Sequence, residues 1–108
     1  MADDLQFLAQ VQLGTAAAPV FGPVAGGSTV IVRHMRIVNT NATTDRTVTL
    51  WHTGTTAADM ILPPVTIDGG GWGEFEGTII MEAGQTLYGR CTELAAEVTV
   101  TLYGMEVT

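Results

Sequence analysis

The stretch Glu82–Val100, EAGQTLYGRCTELAAEVTV, decides how the whole chain is read. It holds the single cysteine, one of the two tyrosines and one of the four arginines, so it is either a reactive site or strands and a turn. The spacing favours strands. Leu87, Gly89 and Cys91 alternate with Tyr88 and Arg90, and beyond the turn Val98, Val100 and Leu102 alternate with Thr99, Thr101 and Tyr103. Side chains in a strand change faces at every residue, so each run presents one apolar and one polar face. Pairing Leu87 with Leu102, Gly89 with Val100 and Cys91 with Val98 puts all apolar partners on one face, which predicts a hairpin in that register. Cys91 then belongs to the core. Free cysteine is among the most buried residue types, and a reactive thiolate needs a cationic or helix-terminal setting, whereas Arg90 points the other way.

Working outward, the same period recurs. Phe75, Gly77, Ile79 and Met81 alternate with Glu74, Glu76, Thr78 and Ile80. Earlier strands are expected at Leu5 to Leu13, Val20-Phe21, Thr29 to Val38, Arg46 to His52, Asp59 to Leu62 and Val65 to Ile67, with Pro63-Pro64 interrupting the last two. Glycine, proline and asparagine clusters punctuate them, and no long helical periodicity appears. The chain is therefore expected to be all-β, a single-domain antiparallel β-sandwich of jelly-roll or immunoglobulin type with about eight short strands. Residues 1–24 are expected to form an N-terminal strand or arm open to exchange with a neighbour, and residues 25–108 the sandwich.

The totals narrow the functions. At 108 residues there is room for one core and no separate substrate domain. The net charge is −7, with no lysine among four cationic residues, which argues against nucleic-acid partners, since phosphate binding needs clustered cations. A lone cysteine permits no internal disulfide. The acidic opening MADDLQFL is unlike a secretory leader, and no apolar run reaches membrane-spanning length, so synthesis in the cytoplasm and no membrane partner are expected.

His34, His52 and Cys91 lack metal-ligand spacing, so no metal or other cofactor is expected. Ser28 stands in Gly26-Gly27-Ser28-Thr29, unlike a nucleophile elbow. Glu74 and Glu76 share a strand face, which fits a wet strand better than a glycosidase pair. No catalytic residue is assigned. The residues suited to an interface are Trp51, Trp72, Tyr88, Tyr103, Arg90, Arg33 and Arg36, since aromatic residues and arginine are enriched where surfaces meet. Alternation with Val48 and Leu50 turns Trp51 outward, and Trp72 follows a glycine loop, so both could serve as contact anchors, sugar platforms or covers for their own sheets. Tyr88 and Tyr103 fit an interface or a plain sheet covering equally.

The order of features from about residue 60 to 107 resembles the small β-sandwich structural proteins of tailed bacteriophages. The resemblance lies in Leu62-Pro63-Pro64, Gly69-Gly70-Gly71-Trp72, Glu76-Gly77-Thr78-Ile79-Ile80, Gly84-Gln85-Thr86-Leu87-Tyr88 and the closing Val98-Thr99-Val100-Thr101-Leu102-Tyr103-Gly104-Met105-Glu106. It implies a virion structural protein, not an enzyme. The favoured placement is a capsid decoration (cement) protein on the outer virion surface, made in the host bacterial cytoplasm. Its partners would be itself, as a homo-oligomer with a trimer favoured, and the major capsid protein or tail proteins. The alternatives are a tail-tip, baseplate or fibre subunit, or a carbohydrate- or receptor-binding module.

Overall fold

A computed structural model of the protein describes residues 6–91 and 97–107. Eight strands follow one another: β1 (Gln6–Gln12), β2 (Ala18–Phe21), β3 (Thr29–Asn39), β4 (Arg46–His52), β5 (Met60–Ile67), β6 (Trp72–Met81), β7 (Leu87–Cys91) and β8 (Val98–Val107). They form two four-stranded sheets, one ordered β1-β8-β3-β6 and the other β2-β7-β4-β5. Every pairing is antiparallel.

The strand order has a simple origin. β4 pairs with β5, β3 with β6, β2 with β7 and β1 with β8, so the chain is one long ribbon folded back at the β4–β5 turn. Rolling that ribbon brings β3 beside β8 and β4 beside β7, which closes the jelly-roll form of the sandwich. Residues expected as an N-terminal arm supply β1 and β2, each hydrogen-bonded within this chain.

The inner faces meet in a core that includes Ile37, Leu50, Met81, Leu87, Val100 and Leu102, all fully buried. Cys91 is fully buried with them. The expected β7–β8 hairpin is not formed, because those strands lie in different sheets. Their faces are as the alternation indicated: Leu87, Gly89 and Cys91 point inward, as do Val98, Val100 and Leu102. Two half-buried strands show the same alternation whether they share a ladder or face each other about 10 Å apart across a core. The connection at 92–96 lies outside the described residues. Packing around β7 is tight, since a Cβ at Gly89 would stand 2.7 Å from Leu50 Cδ2 and 3.0 Å from Val20 Cγ2.

Register breaks shape both sheets. In the first, the ladder slips between Val32 and His34 against both β6 and β8, and between Phe7 and Ala9 against β8. The extra residues lie on three strands, Leu8 on β1, Arg33 on β3 and Gly77-Thr78 on β6, while β8 pairs without interruption. At Gly104 the chains approach so closely that a Cβ would collide with the Ile31 carbonyl oxygen. The slip resets the alternation of β3, burying Val32 and then Met35 and Ile37, which explains why both faces of that strand look mixed in sequence. In the second sheet Pro63-Pro64 does not end a strand; it sits within edge strand β5, where the register with β4 shifts between Val48 and Leu50.

One end of the sandwich is tied by polar groups. Asn39, 1% exposed, donates from Nδ2 to the carbonyls of Thr44 and Ile67 and accepts from the Asn41 backbone N–H. Arg46 Nε and Nη2 donate to Glu97 Oε1 at 2.9 and 2.6 Å, joining the start of β4 to the residue before β8. Among the described residues no buried side-chain nitrogen or oxygen lacks a hydrogen-bond partner.

Candidate functional site: the outer face of the β1-β8-β3-β6 sheet

Cross-strand register sorts the outward side chains of this sheet into rows. One row runs Phe7, Tyr103, His34, Glu76; the next Gln10, Thr101, Arg36, Glu74; a third Gln12, Thr99, Val38, Trp72. On the other side of the bulge line Met105, Ile31 and Ile80 form a row of their own.

The first row is a chain of ring contacts. Phe7 meets Tyr103 edge-on, with centroids 6.3 Å apart, and Tyr103 meets the His34 imidazole edge-on at 5.9 Å. His34 Nε2 lies 3.2 Å from Glu74 Oε2, and its Nδ1 lies 3.6 Å from Glu76 Oε2. A neutral imidazole carries one N–H and can donate to only one of these carboxylates. Arg36 of the second row reaches across to the third, where its guanidinium stands 4.6 Å from the Trp72 ring centroid, a cation–π contact.

The face is more apolar than a sheet turned only toward water requires. Phe7, Trp72, Ile80 and Val107 are each more than half exposed, and all four lie on this sheet. Of the large apolar side chains classed with them as exposed, only Ile61 lies elsewhere. Arg36, Glu74 and Glu76 are the charged members of its rows, with His34 between the two glutamates.

Four of the seven sequence candidates, Trp72, Tyr103, Arg36 and Arg33, belong to this sheet. Trp51, Tyr88 and Arg90 belong to the other, so no single surface gathers all seven. Trp51 departs from its expected exposure and is 7% exposed. It sits on central strand β4 with Tyr88 beside it on β7 and Met60 beside it on β5, and neighbours on both sides cover it. His52 Nε2 lies 3.0 Å from Gln85 Oε1, within hydrogen-bond reach.

Sequence reasoning passed over Phe7, Ile80, Val107 and the pairing of His34 with both glutamates. For Ile80 a signal existed, since it falls in the outward row of β6 with Glu74 and Glu76, where an apolar residue has no core to join. The His34 pairing could not be read because it depends on β3 lying next to β6, far away in sequence.

On the β5/β6 side a groove of about 420 Å³ opens between the sheets, with Val32, Met35, Leu62, Phe75 and Ile79 among its apolar walls and Arg33 at its lining. Two carboxyls are held below their usual range: Glu97 by the hydrogen bonds from Arg46, and Asp59 by those from the Thr56 hydroxyl and backbone. A general acid needs the opposite shift, so neither is set up as one. Among the described residues no group of three His, Cys, Asp or Glu is arranged to hold a metal ion. The chemistry this face offers is contact: ring edges, apolar area and a few charged side chains. Comparison with protein-family models, with curated proteins and with solved structures returns no match.

Proposed function

We propose that this protein is a structural subunit of a tailed-phage virion, a decoration protein that stabilises the shell by binding at subunit junctions on its outer surface. The observation that carries this reading is the outer face of the β1-β8-β3-β6 sheet, on which Phe7, Trp72, Ile80 and Val107 are each more than half exposed. Exposed apolar side chains gathered on one face mark contact sites in proteins that fold alone. The resemblance of residues 60–107 to small virion sandwiches supplies the class of partner. The negative charge suits a position away from packaged DNA. Function here is burial of area at several junctions at once, where modest contacts add up through multivalency. The protein acts with copies of itself and with the major capsid protein; tail-tip, baseplate and fibre positions remain the alternative within the class.

A sugar-platform reading loses one of its two tryptophans to burial, and Arg36 stacks over the other. The test is co-sedimentation of the purified chain with empty shells assembled from the major capsid protein of the same phage genome. Saturable binding that Ile80→Glu weakens at least tenfold is the expected result. Binding to tail structures and not to shells moves the assignment to the tail, and binding to neither overturns it.

A further inference from the structure

The two sheets treat their edges differently. The second sheet ends in β2, which contains Pro19, and β5, which contains Pro63-Pro64. Proline withholds an N–H from any incoming strand, and proteins place it on edges to prevent pairing with another chain. Three of the chain's four prolines occupy these two strands. The first sheet ends in β1, QFLAQVQ, and β6, WGEFEGTIIM, and neither has a proline. β1 carries no charge at all, in a chain whose net charge is −7.

We propose that β1 of one copy adds to the free edge of β6 of the next, so that the β1-β8-β3-β6 sheet continues from subunit to subunit. This rests on reading the protein as one that assembles, and names the surface through which it does so. Strand direction permits it. Along β1, β8, β3 and β6 direction alternates, so a second copy in the same orientation presents its β1 antiparallel to β6. The row structure permits it too. At equal height the neighbour's Gln10 faces Glu74 and its Gln12 faces Trp72, so an amide donor meets a carboxylate acceptor. Gln10 Nε2 donates one hydrogen to Thr101 Oγ1 and has a second to offer.

Bulges ordinarily blunt an edge, but here the slips of the two edges, at Leu8 and at Gly77-Thr78, flank the same Phe7–Tyr103–His34–Glu76 row, so both edges bend next to that row. At Gly77 no atom stands within 4 Å of where a Cβ would be, which leaves room for a backbone to approach. Pairing β6 with a second β6 would set Glu74 and Glu76 against their own copies, which like-charge repulsion disfavours. A β1–β1 pair would leave β6 open. The β1–β6 contact satisfies both edges and is heterologous, so it propagates into a ring when the rotation per copy closes and into a filament when it does not.

The test is sedimentation velocity on the full chain, with circular dichroism to confirm that each variant keeps its sheet. The wild-type protein is expected to associate with rising concentration. The near-isosteric pair Gln10→Glu/Gln12→Glu should weaken association at least tenfold, and adding Glu74→Lys/Glu76→Lys to that chain should restore it. The same two charges placed at Thr55→Glu/Thr66→Glu, outside both edges, should leave it unchanged. A wild-type chain that stays monomeric overturns the proposal. Loss without rescue by the lysines points to β1–β1 pairing, and no loss at all points to another surface; either result also overturns it. Shell binding is measured separately, so the virion reading and this contact can fail independently.

Discussion

Each sheet carries one tryptophan and one tyrosine on its outer side, Trp72 with Tyr103 and Trp51 with Tyr88, yet only one sheet shows its tryptophan to solvent. Trp51 is 7% exposed and Trp72 is 56% exposed. The difference lies in strand order. Trp51 stands on β4, with β7 and β5 on either side, so flanking side chains close over the indole. Trp72 stands on β6, which has a ladder partner on one side only, and Arg36 stacks over its ring. Alternation tells which face a residue takes; position within the sheet determines how much of it stays wet.

The largest test of this contrast is truncation. Trp51→Ala should cost about 3–5 kcal/mol in denaturant unfolding, the range for emptying a packed aromatic site. Trp72→Ala should stay within about 1 kcal/mol, since it removes a mostly solvated ring and one exposed cation–π contact. Equal losses at the two sites would break the comparison. A second pair of substitutions asks the same of the backbone. Gly89→Ala pushes a methyl group against Leu50, Val20 and Leu13 and should cost about 1–3 kcal/mol. Gly77→Ala, on the open edge, meets nothing and should fall within about 0.5 kcal/mol of wild type.

The residues that made the sequence legible were those obeying a period of two. Leu87, Cys91, Val98, Val100 and Met81 gave away their inward faces, and the fold class with them. Pairing was not legible, because alternation is silent about whether two apolar faces share a ladder or oppose each other. That is why β7 and β8, separated by a short connection, read as a hairpin although each pairs elsewhere. The bulge line was hidden for a related reason. Val32 and Met35 both point inward only because the ladder slips at Arg33, and a slip appears in a sequence as a blurred period. Of the candidate surface, Trp72, Tyr103 and Arg36 were legible from residue type, whereas Phe7 and Ile80 became visible only once the strands were set side by side.

Acid titration offers a smaller effect that joins the two sheets. Arg46 opens β4 and Glu97 precedes β8, so their pair bridges the sheets at one end. Glu97 has a folded pKa below its ordinary 4.5, chiefly because Arg46 donates to it. A depressed carboxyl stabilises the fold fully above its ordinary value and loses that contribution as pH falls through the folded value. Asp59, lowered from 3.8 by Thr56, acts in the same direction at somewhat lower pH. The unfolding midpoint should therefore decline below about pH 4.5, and Glu97→Gln should flatten that decline while lowering stability near neutral pH. A variant whose acid limb matches the wild type would remove the Arg46–Glu97 pair from the forces joining the sheets.

The smallest perturbation resolves the comparison most directly, because it needs no loss of stability. Conservative Trp→Phe changes leave one indole at a time to report on its surroundings. In Trp72→Phe the remaining Trp51 should emit toward the blue and resist quenching by acrylamide, since its ring is closed between β7 and β5. In Trp51→Phe the remaining Trp72 should emit near the wavelength of solvated indole and quench readily. Association through the neighbouring β6 edge gives this probe a second use. If Gln12 of another copy packs beside Trp72, its quenching should fall as protein concentration rises, while that of Trp51 stays constant. A Trp72 signal independent of concentration in a chain that does associate would mean that copies meet away from the third row, and would separate the exposed face from the open edge.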